Sequence, residues 1–290
     1  MFVPTTVVSG QPPSSGPPAG PPIEARPGAP ILPTAIAVNL GSGRTQVWVA
    51  GRGSVSCPTG DTFGTAGSLV RRGRVVAGSG CIVVLSQLTR RYSDPIPPGS
   101  VVVVCRPVLA TMAEQDAIRR VVAGVFAPSR VLFIDTVRAA AIGAGAAAGG
   151  LLIADIGAEL TEVAVLDHGR VKVARRAGIG TRDRARGAPT DLVAHATTRM
   201  INELRHDPVA PAAVPAALTR GLVVVGDGAM KPDLSLQIAT TLRIRVRSAA
   251  SPRAAALSGA GLAAMAVARD PAAAAARRLY PISRGRKETP

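Results

Sequence analysis

Aromatic residues are scarce in this chain, since phenylalanine, tryptophan and tyrosine make up only 2% of its 290 residues. A core built from Val, Ala, Leu and Ile buries less area per side chain, at about 25 cal/mol per Å², so we expect modest stability. The basic residues also lack interleaved Tyr or Phe on which bases could stack. Nucleic-acid binding is therefore not expected, despite a net charge of +16.

Lysine is also rare, and Lys172, Lys231 and Lys287 are the only examples in the sequence. The other basic residues are scattered arginines in a chain rich in Ala, Gly, Pro and Val, which looks like a coding bias. The charge leaves open a weak attraction to an anionic membrane or to an acidic partner.

Cysteine occurs at Cys57, Cys81 and Cys105, an odd number without a CxxC pair. This argues for a reducing compartment and against a disulfide framework or a zinc site. The first residues lack the basic start and apolar run of a secretory signal. The Ala/Gly-rich runs at 139–154 and 254–268 are too short and too weakly apolar to span a bilayer. These absences predict a cytoplasmic protein.

The sequence contains a long internal repeat. LLIADIGAELTEVAVLDHGRV, which begins at Leu151, predicts a strand, a short polar tip, a second strand and a glycine turn. IAVNLGSGRTQVWVAGRGSV, which begins at Ile36, has the same plan 116 positions earlier (from Asn39 to Asp155). The segment Arg138-Ala-Ala-Ala returns in the same way at Arg253. A repeat of this length lies outside the roughly 20–50-residue range of solenoids, so it predicts two similar α/β domains.

The composition divides the chain into a Pro-rich disordered tail at 1–33, one α/β domain at 34–147, a second at 148–270 and a basic mobile tail at 271–290. Strands that alternate with helices predict mainly parallel sheets with helices on both faces.

Individual elements can be predicted within this plan. VVVVC at 101–105 is typical of a buried strand, and Thr111 with Glu114 predicts a capping box at the start of a helix. LVVV at 222–225 predicts another strand, and Pro232–Leu242 a helix. Residues 56–100 give no clear pattern, and residues 175–186 are interpreted as a basic loop.

Two facing hairpins with glycine-containing tips suit a phosphate clamp, because glycine allows close backbone approach and amide N–H groups can point at phosphate oxygens. An acidic residue at a tip can hold Mg²⁺ through its waters. The segment Gly41–Thr45 is not a P-loop, because its spacing is wrong and it lacks the lysine. The candidate phosphate-binding residues are Asn39, Gly41, Ser42, Gly43 and Arg44 in the first tip and Asp155, Gly157, Ala158 and Glu159 in the second.

These motifs resemble, in order, those of the MreB/Mbl rod-shape proteins within the actin-like ATPases. DIGAELTEVAV is similar to that family's second phosphate motif, DIGGGTTEVAV, and VNLGSGRTQVWV to its first, IDLGTANTLVYV. LVVVGDGAMKPDL is similar to its adenosine-side turn, LTGGGALLRGL, and FIDTVRAAAIGAG to its IEEPMAAAIGAG segment. The resemblance covers about residues 34–265.

The resemblance implies two actin-like (ribonuclease H-like) α/β domains with a nucleotide cleft between them, in which the insertion subdomains are reduced or missing. It implies ATP and Mg²⁺ as cofactors, with Asp155 holding the metal through water. It places Gly226, Asp227 and Gly228 on the adenosine side. Since family members form filaments that guide cell-wall synthesis, it also implies self-association or an MreB-type filament partner, a link to cell-wall or division machinery, and a peripheral contact with the inner face of the membrane.

The departures from the family motifs cluster at the chemistry. Asn39 replaces an Asp, and Glu159 places a carboxylate where backbone should meet phosphate. A like charge at about 4 Å costs about 1 kcal/mol in water and about 4 kcal/mol at an effective dielectric of 20. Millimolar to micromolar ATP binding provides only about 4–8 kcal/mol, so Glu159 is expected to weaken it. Asp135-Thr136-Val137 also replaces the family's Glu-Glu-Pro, and with it the acid that positions water.

Three hypotheses follow from this pattern. The first is a pseudo-ATPase that acts as a structural or interaction partner in cell-shape or cell-wall assembly. The second is a weak ATPase that still forms filaments, for which Asp135, Thr136 and Thr161 are the candidate catalytic residues. The third, a chaperone relative of the DnaK class, is disfavoured because no substrate-binding domain is expected after Ala268.

Overall fold

The computed structural model describes residues 34–59, 68–146, 149–189 and 191–270. The predicted tails at 1–33 and 271–290 lie outside the described residues. The sheets of the two halves lie on either side of residue 147, and the proposed domain boundaries stay predictions.

The first half contains one five-stranded sheet, a small hairpin and three helices. In chain order its elements are β1 (Ala35–Leu40), β2 (Arg44–Val49), β3 (Gly53–Pro58), β4 (Val70–Arg71), β5 (Arg74–Val75), α1 (Gly78–Thr89), β6 (Val101–Arg106), α2 (Met112–Phe126), β7 (Arg130–Asp135) and α3 (Thr136–Gly143). The large sheet has the order β3-β2-β1-β6-β7, and β4 pairs with β5 alone. The predicted capping box of α2 is confirmed, because Thr111 and Glu114 each bind the other's backbone N–H.

The second half repeats the strand order of the first. Its elements are β8 (Leu151–Ile156), β9 (Thr161–Asp167), β10 (Arg170–Ala177), α4 (Thr181–Ala185), α5 (Leu192–Arg205), α6 (Ala213–Arg220), β11 (Leu222–Val225), a 3₁₀ turn (Gly228–Met230), α7 (Pro232–Leu242), β12 (Val246–Ser248) and α8 (Ala255–Arg269). The sheet has the order β10-β9-β8-β11-β12. Since β1 and β8 begin at equivalent positions of the repeat, the duplication predicted from the sequence is also a duplication of topology.

Both sheets are mixed, which corrects the expectation of mainly parallel sheets. In each half the first three strands form an antiparallel meander, and the remaining two join in parallel. The predicted basic loop at 175–186 was also wrong, because it contains the end of β10 and the short helix α4. An edge strand has one free side and tolerates charged residues, so its arginines hid it from a search for apolar runs.

The two halves share a central core that contains α3 and α8. Buried residues of the first sheet (Ala37, Val103), of the second sheet (Ile153, Val223) and of both helices form one apolar cluster. The two helices approach so closely that a side chain at Gly259 would overlap the Ala139 carbonyl. The Ala- and Gly-rich segments of the repeat are therefore the small-residue surfaces through which the halves meet.

The outer faces of the two sheets are covered by separate helices. Buried residues of α1 and α2 pack on the first sheet, and those of α5, α6 and α7 pack on the second. Between Gly180 and Gly221 the described residues form only α4, α5 and α6, in agreement with a reduced insertion. No helix in the described ranges is both long and apolar enough to cross a bilayer.

Candidate functional site

The tips of the β1–β2 and β8–β9 hairpins face each other across a cleft. The cleft has a volume of about 820 Å³, which includes the solvent at its mouth. Most of the residues predicted from the two tips and the adenosine-side turn line it, together with Thr136: Asn39, Gly41, Ser42, Gly43, Arg44, Asp155, Gly157, Ala158, Gly226 and Asp227. The structure therefore brings together residues that are more than 100 positions apart in the chain.

The closest approach of the two tips is at Gly43. A Cβ atom at this position would lie 2.7 Å from the Cβ of Ala158 and 3.3 Å from a carboxylate oxygen of Asp227. A larger residue would have to push the two tips apart, so glycine here allows the two halves to come together over the same ligand.

Both tips leave backbone donors unused. The turns are closed in the same way, by the N–H of Gly41 on the Arg44 carbonyl at 3.0 Å and the N–H of Gly157 on the Leu160 carbonyl at 2.9 Å. Within the described part of the chain, no hydrogen bond uses the amide N–H of the next two residues of either tip, Ser42, Gly43, Ala158 and Glu159. Free amides in consecutive turn positions are typical of anion-binding backbone.

The Glu159 side chain does not take the position expected from the sequence. It is absent from the lining of the cleft and is buried, with 4% of its surface exposed. Its carboxylate accepts a hydrogen bond from Arg186 at 3.0 Å and one from the Arg72 amide at 3.4 Å. The expected repulsion of phosphate assumed a carboxylate facing the cleft, and that assumption was wrong.

Three other carboxyl groups do line the cleft. Asp227 forms an ion pair with Arg253 at 2.7 Å, which compensates its charge. Burial, with a contribution from Asp227, raises the pKa of Asp155 to about 6. Glu162 is almost fully buried, its carboxylate accepts a hydrogen bond from the Val108 amide, and burial, followed by the charge of Asp155, raises its pKa well above the ordinary value.

Sequence reasoning missed Glu162. The signal that could have identified it is an acidic residue inside the apolar run TEVAVL of β9, since a charge in a buried strand needs a partner or a function. Its neighbour Thr161 is fully buried, and its hydroxyl donates to the Ile179 carbonyl at 2.7 Å, outside the lining of the cleft.

The other candidate catalytic residues are bound to Arg106. Asp135 forms an ion pair with Arg106 at 3.0 Å and does not line the cleft. Thr136 does line the cleft, but its hydroxyl donates to the Arg106 carbonyl at 2.9 Å. Gly228, predicted on the adenosine side, packs against Ile156 rather than lining the cleft.

The residues present fit a phosphate group with Mg²⁺ better than a metal ion alone. No group of three or more His, Cys, Asp or Glu residues that could hold a metal occurs in the described ranges. Mg²⁺ is usually held by one or two carboxylates, water and substrate phosphates. Asp155, which is mostly ionised above pH 6, can supply the carboxylate, and the amides of Ser42, Gly43 and Ala158, which line the cleft, can bind phosphate oxygens.

The chain is similar to known proteins in part of its sequence and in its fold. The MreB/Mbl protein family model matches residues 81–184. MreB5 of Spiroplasma citri bound to AMPPNP is similar to 79% of this chain over 95% of its own length, with a TM-score of 0.67 and 16% identity. The same protein bound to ADP is similar to 81% of this chain over 97% of its own length, with a TM-score of 0.69 and 15% identity. The ethanolamine utilization protein EutJ from Carboxydothermus hydrogenoformans is similar to 81% of this chain over 91% of its own length, with a TM-score of 0.59 and 19% identity. No curated protein sequence matches.

The resemblance predicted from the hairpin motifs is therefore confirmed by the family match at residues 81–184 and by a fold shared over most of the described chain. Both halves have the strand order that the duplicated motifs required, and their tips meet in one cleft. The chain has the α/β fold of the two MreB5 structures, which is the actin-like fold that its motifs predicted, and its residues 81–184 match the MreB/Mbl protein family model.

Proposed function

We propose that this protein binds ATP with Mg²⁺ between its two hairpin tips and acts, with little or no hydrolysis, as a structural or interaction partner in cell-shape or cell-wall assembly. The observation that carries the proposal is the pair of facing tips, in which Ser42, Gly43 and Ala158 line one cleft and their backbone amides bind no acceptor among the described residues. The nucleotides named in the two MreB5 structures, AMPPNP and ADP, support this ligand class.

The charges around the cleft support an anionic ligand. Arg44 and Arg253 line the cleft, and Arg253 also compensates Asp227. Glu159 is removed from the cleft by its arginine partners. When bound, the nucleotide would supply the phosphates that complete the Mg²⁺ coordination begun by Asp155.

Weak hydrolysis follows from the residues that should position water. The Asp135 carboxylate is held by Arg106, and the Thr136 hydroxyl is committed to a backbone carbonyl. A hydroxyl is not a general base at neutral pH, because its pKa is far from the operating range. Asn39 supplies no carboxylate in the first tip, since its side chain is an amide that donates to Gln46 at 3.2 Å.

Glu162 favours a second candidate function, a slow filament-forming ATPase. It lines the cleft, and its pKa is raised by burial and by Asp155, which is the direction in which a carboxylate is adjusted for base catalysis near neutral pH. Phosphate release from the wild type that is lost in Glu162→Gln, with ATP binding retained, would select this candidate.

The nucleotide proposal can be tested with a pair of glycine variants. Titration calorimetry with ATP, with and without Mg²⁺, should give a Mg²⁺-dependent signal for the wild type. Gly43→Ala should weaken it at least about tenfold, or about 1.4 kcal/mol, because the added methyl forces the tips apart. Gly78→Ala is the matched control, since its nearest contact is the Val121 side chain at 3.9 Å. Equal affinity in both variants would reject the tips as the binding site, and rapid phosphate release by the wild type would reject the pseudo-ATPase.

Self-association, the cytoplasmic location and contact with the membrane belong to the same proposal. Sedimentation with and without ATP tests for filaments, and a monomer under all conditions would contradict them. Co-sedimentation with anionic vesicles tests the membrane contact, and the positive net charge of the chain predicts that salt weakens it.

A further inference from the structure

Several contacts that join the two halves at the mouth of the cleft converge on Glu159. The β4–β5 turn of the first half lies against the second tip. The Arg72 amide donates to the Glu159 carboxylate at 3.4 Å, and a side chain at Gly73 would lie 2.8 Å from Leu160 and 2.9 Å from Pro107. A segment of the first half thus contacts the second tip directly.

Arg182 of the second half contacts the first tip. Its backbone N–H donates to the Ala158 carbonyl at 2.8 Å, which fixes it to the second tip. Its guanidinium donates to the Ser42 carbonyl in the first tip at 2.7 Å and lies 3.9 Å from the Glu159 carboxylate. One arginine therefore contacts both tips and the buried acid.

The burial of Glu159 makes these contacts interdependent. A carboxylate with 4% exposure must be paired, because an unpaired buried charge is strongly unfavourable. Its partners come from both halves of the chain: Arg72 from the first, Arg182 and Arg186 from the second. Separating the halves would remove the Arg72 amide from Glu159 and the Arg182 guanidinium from Ser42.

We propose that Glu159, Arg72 and Arg182 form a clasp that holds the two hairpin tips together at the mouth of the cleft. Glu159 is then a positioning residue: it does not line the cleft, but it keeps the two tips at the distance seen at Gly43 and Ala158. This inference goes beyond nucleotide binding, since the carboxylate of the chain itself joins the halves.

Hydrogen exchange of the nucleotide-free full chain tests the clasp. Glu159→Gln should speed exchange about tenfold, equivalent to about 1.4 kcal/mol, at residues 70–75, while β11, an inner strand of the second sheet, stays unchanged. Glu203→Gln is the control, because Glu203 also pairs with arginines but lies half-exposed on α5.

A second variant covers the case in which Glu159→Gln does not fold. Arg182→Gln changes a side chain that is 38% exposed and should produce the same local increase. Unchanged exchange at residues 70–75 in either folded variant would overturn the clasp, as would an equal increase across both sheets, which indicates general destabilisation. Because every sample lacks nucleotide, the outcome is separate from the test of ATP binding.

Discussion

The carboxyl group of Asp155 should give the stability of this protein a measurable pH dependence. Asp155 lies in β8 and lines the cleft together with Asp227. Burial, with a contribution from Asp227, raises its pKa from 3.8 to about 6. Asp155→Asn keeps the size of the side chain and removes the titration. The same exchange already exists in the chain, since Asn39 occupies the equivalent position of the first hairpin.

The sign of this pH dependence follows from the direction in which the pKa of Asp155 is shifted. Because the folded state raises the pKa of this acid, it favours the protonated form. The contribution of Asp155 to the free energy of unfolding is therefore full below pH 3.8 and is lost as the pH rises through about 6. At about 1.36 kcal/mol per pKa unit, the shift corresponds to about 3 kcal/mol. As the pH rises, the free energy of unfolding of the wild type should fall by about this amount relative to that of Asp155→Asn, and most of the fall should occur between pH 4 and pH 6.

Urea unfolding of both proteins at half-unit steps from pH 4 to pH 7.5 measures this difference. Asp116→Asn serves as the control, since Asp116 is half-exposed on α2 and pairs only loosely with Arg119 at 3.8 Å. Its unfolding free energy should run parallel to that of the wild type. If Asp155→Asn also runs parallel, the carboxyl group is not desolvated in the folded state, and burial does not raise its pKa.

Two further predictions concern stability. Gly259→Ala should destabilise the protein, because the added methyl would overlap the Ala139 carbonyl across the α3–α8 contact; overpacking costs about 1–3 kcal/mol, against about 1 kcal/mol gained in helix propensity. Urea unfolding checks this against Gly78→Ala, and a stabilised Gly259→Ala would contradict the close approach. Thr111→Ala removes the confirmed capping box of α2 and should cost about 1 kcal/mol, whereas Thr111→Ser should retain most of it; equal midpoints for all three proteins would show that the cap contributes nothing.

The fold was predictable where the sequence is apolar and duplicated. The bounds predicted for β11 and α7 agree with the structure, because a run of four aliphatic residues and a proline at a helix start are strong local signals. The strand β10 was missed because two of its arginines pair with acids in distant parts of the chain. Arg175 pairs with Asp207 at 2.7 Å and Arg176 with Glu114 at 3.3 Å, contacts that no local pattern contains.

The site was predictable in its backbone but not in its side chains. The repeat located both tips, because their glycines and the alignment of the two copies can be identified from the sequence alone. The direction of the Glu159 side chain depends on Arg72 and Arg186, which come from separate segments of the chain. Asp135 was similarly interpreted as a stand-in base, because its ion pair with Arg106 forms only when β6 and β7 lie side by side.

The departures from the family motifs are compensated in the structure, which argues against simple decay of the cleft. Asp227, an acid where the family motif has glycine, is paired with Arg253. The backbone carbonyl of Arg253 in turn accepts a hydrogen bond from Gln46 at 3.3 Å, and Gln46 also accepts one from Asn39. This series of contacts runs from the first tip to the second half. Three features occur together here: tip amides without an acceptor among the described residues, a close contact at Gly43, and arginine partners for Asp227 and Glu159. A binding site that lacks only its hydrolytic groups would have all three, whereas loss of the ligand would not explain why they occur together.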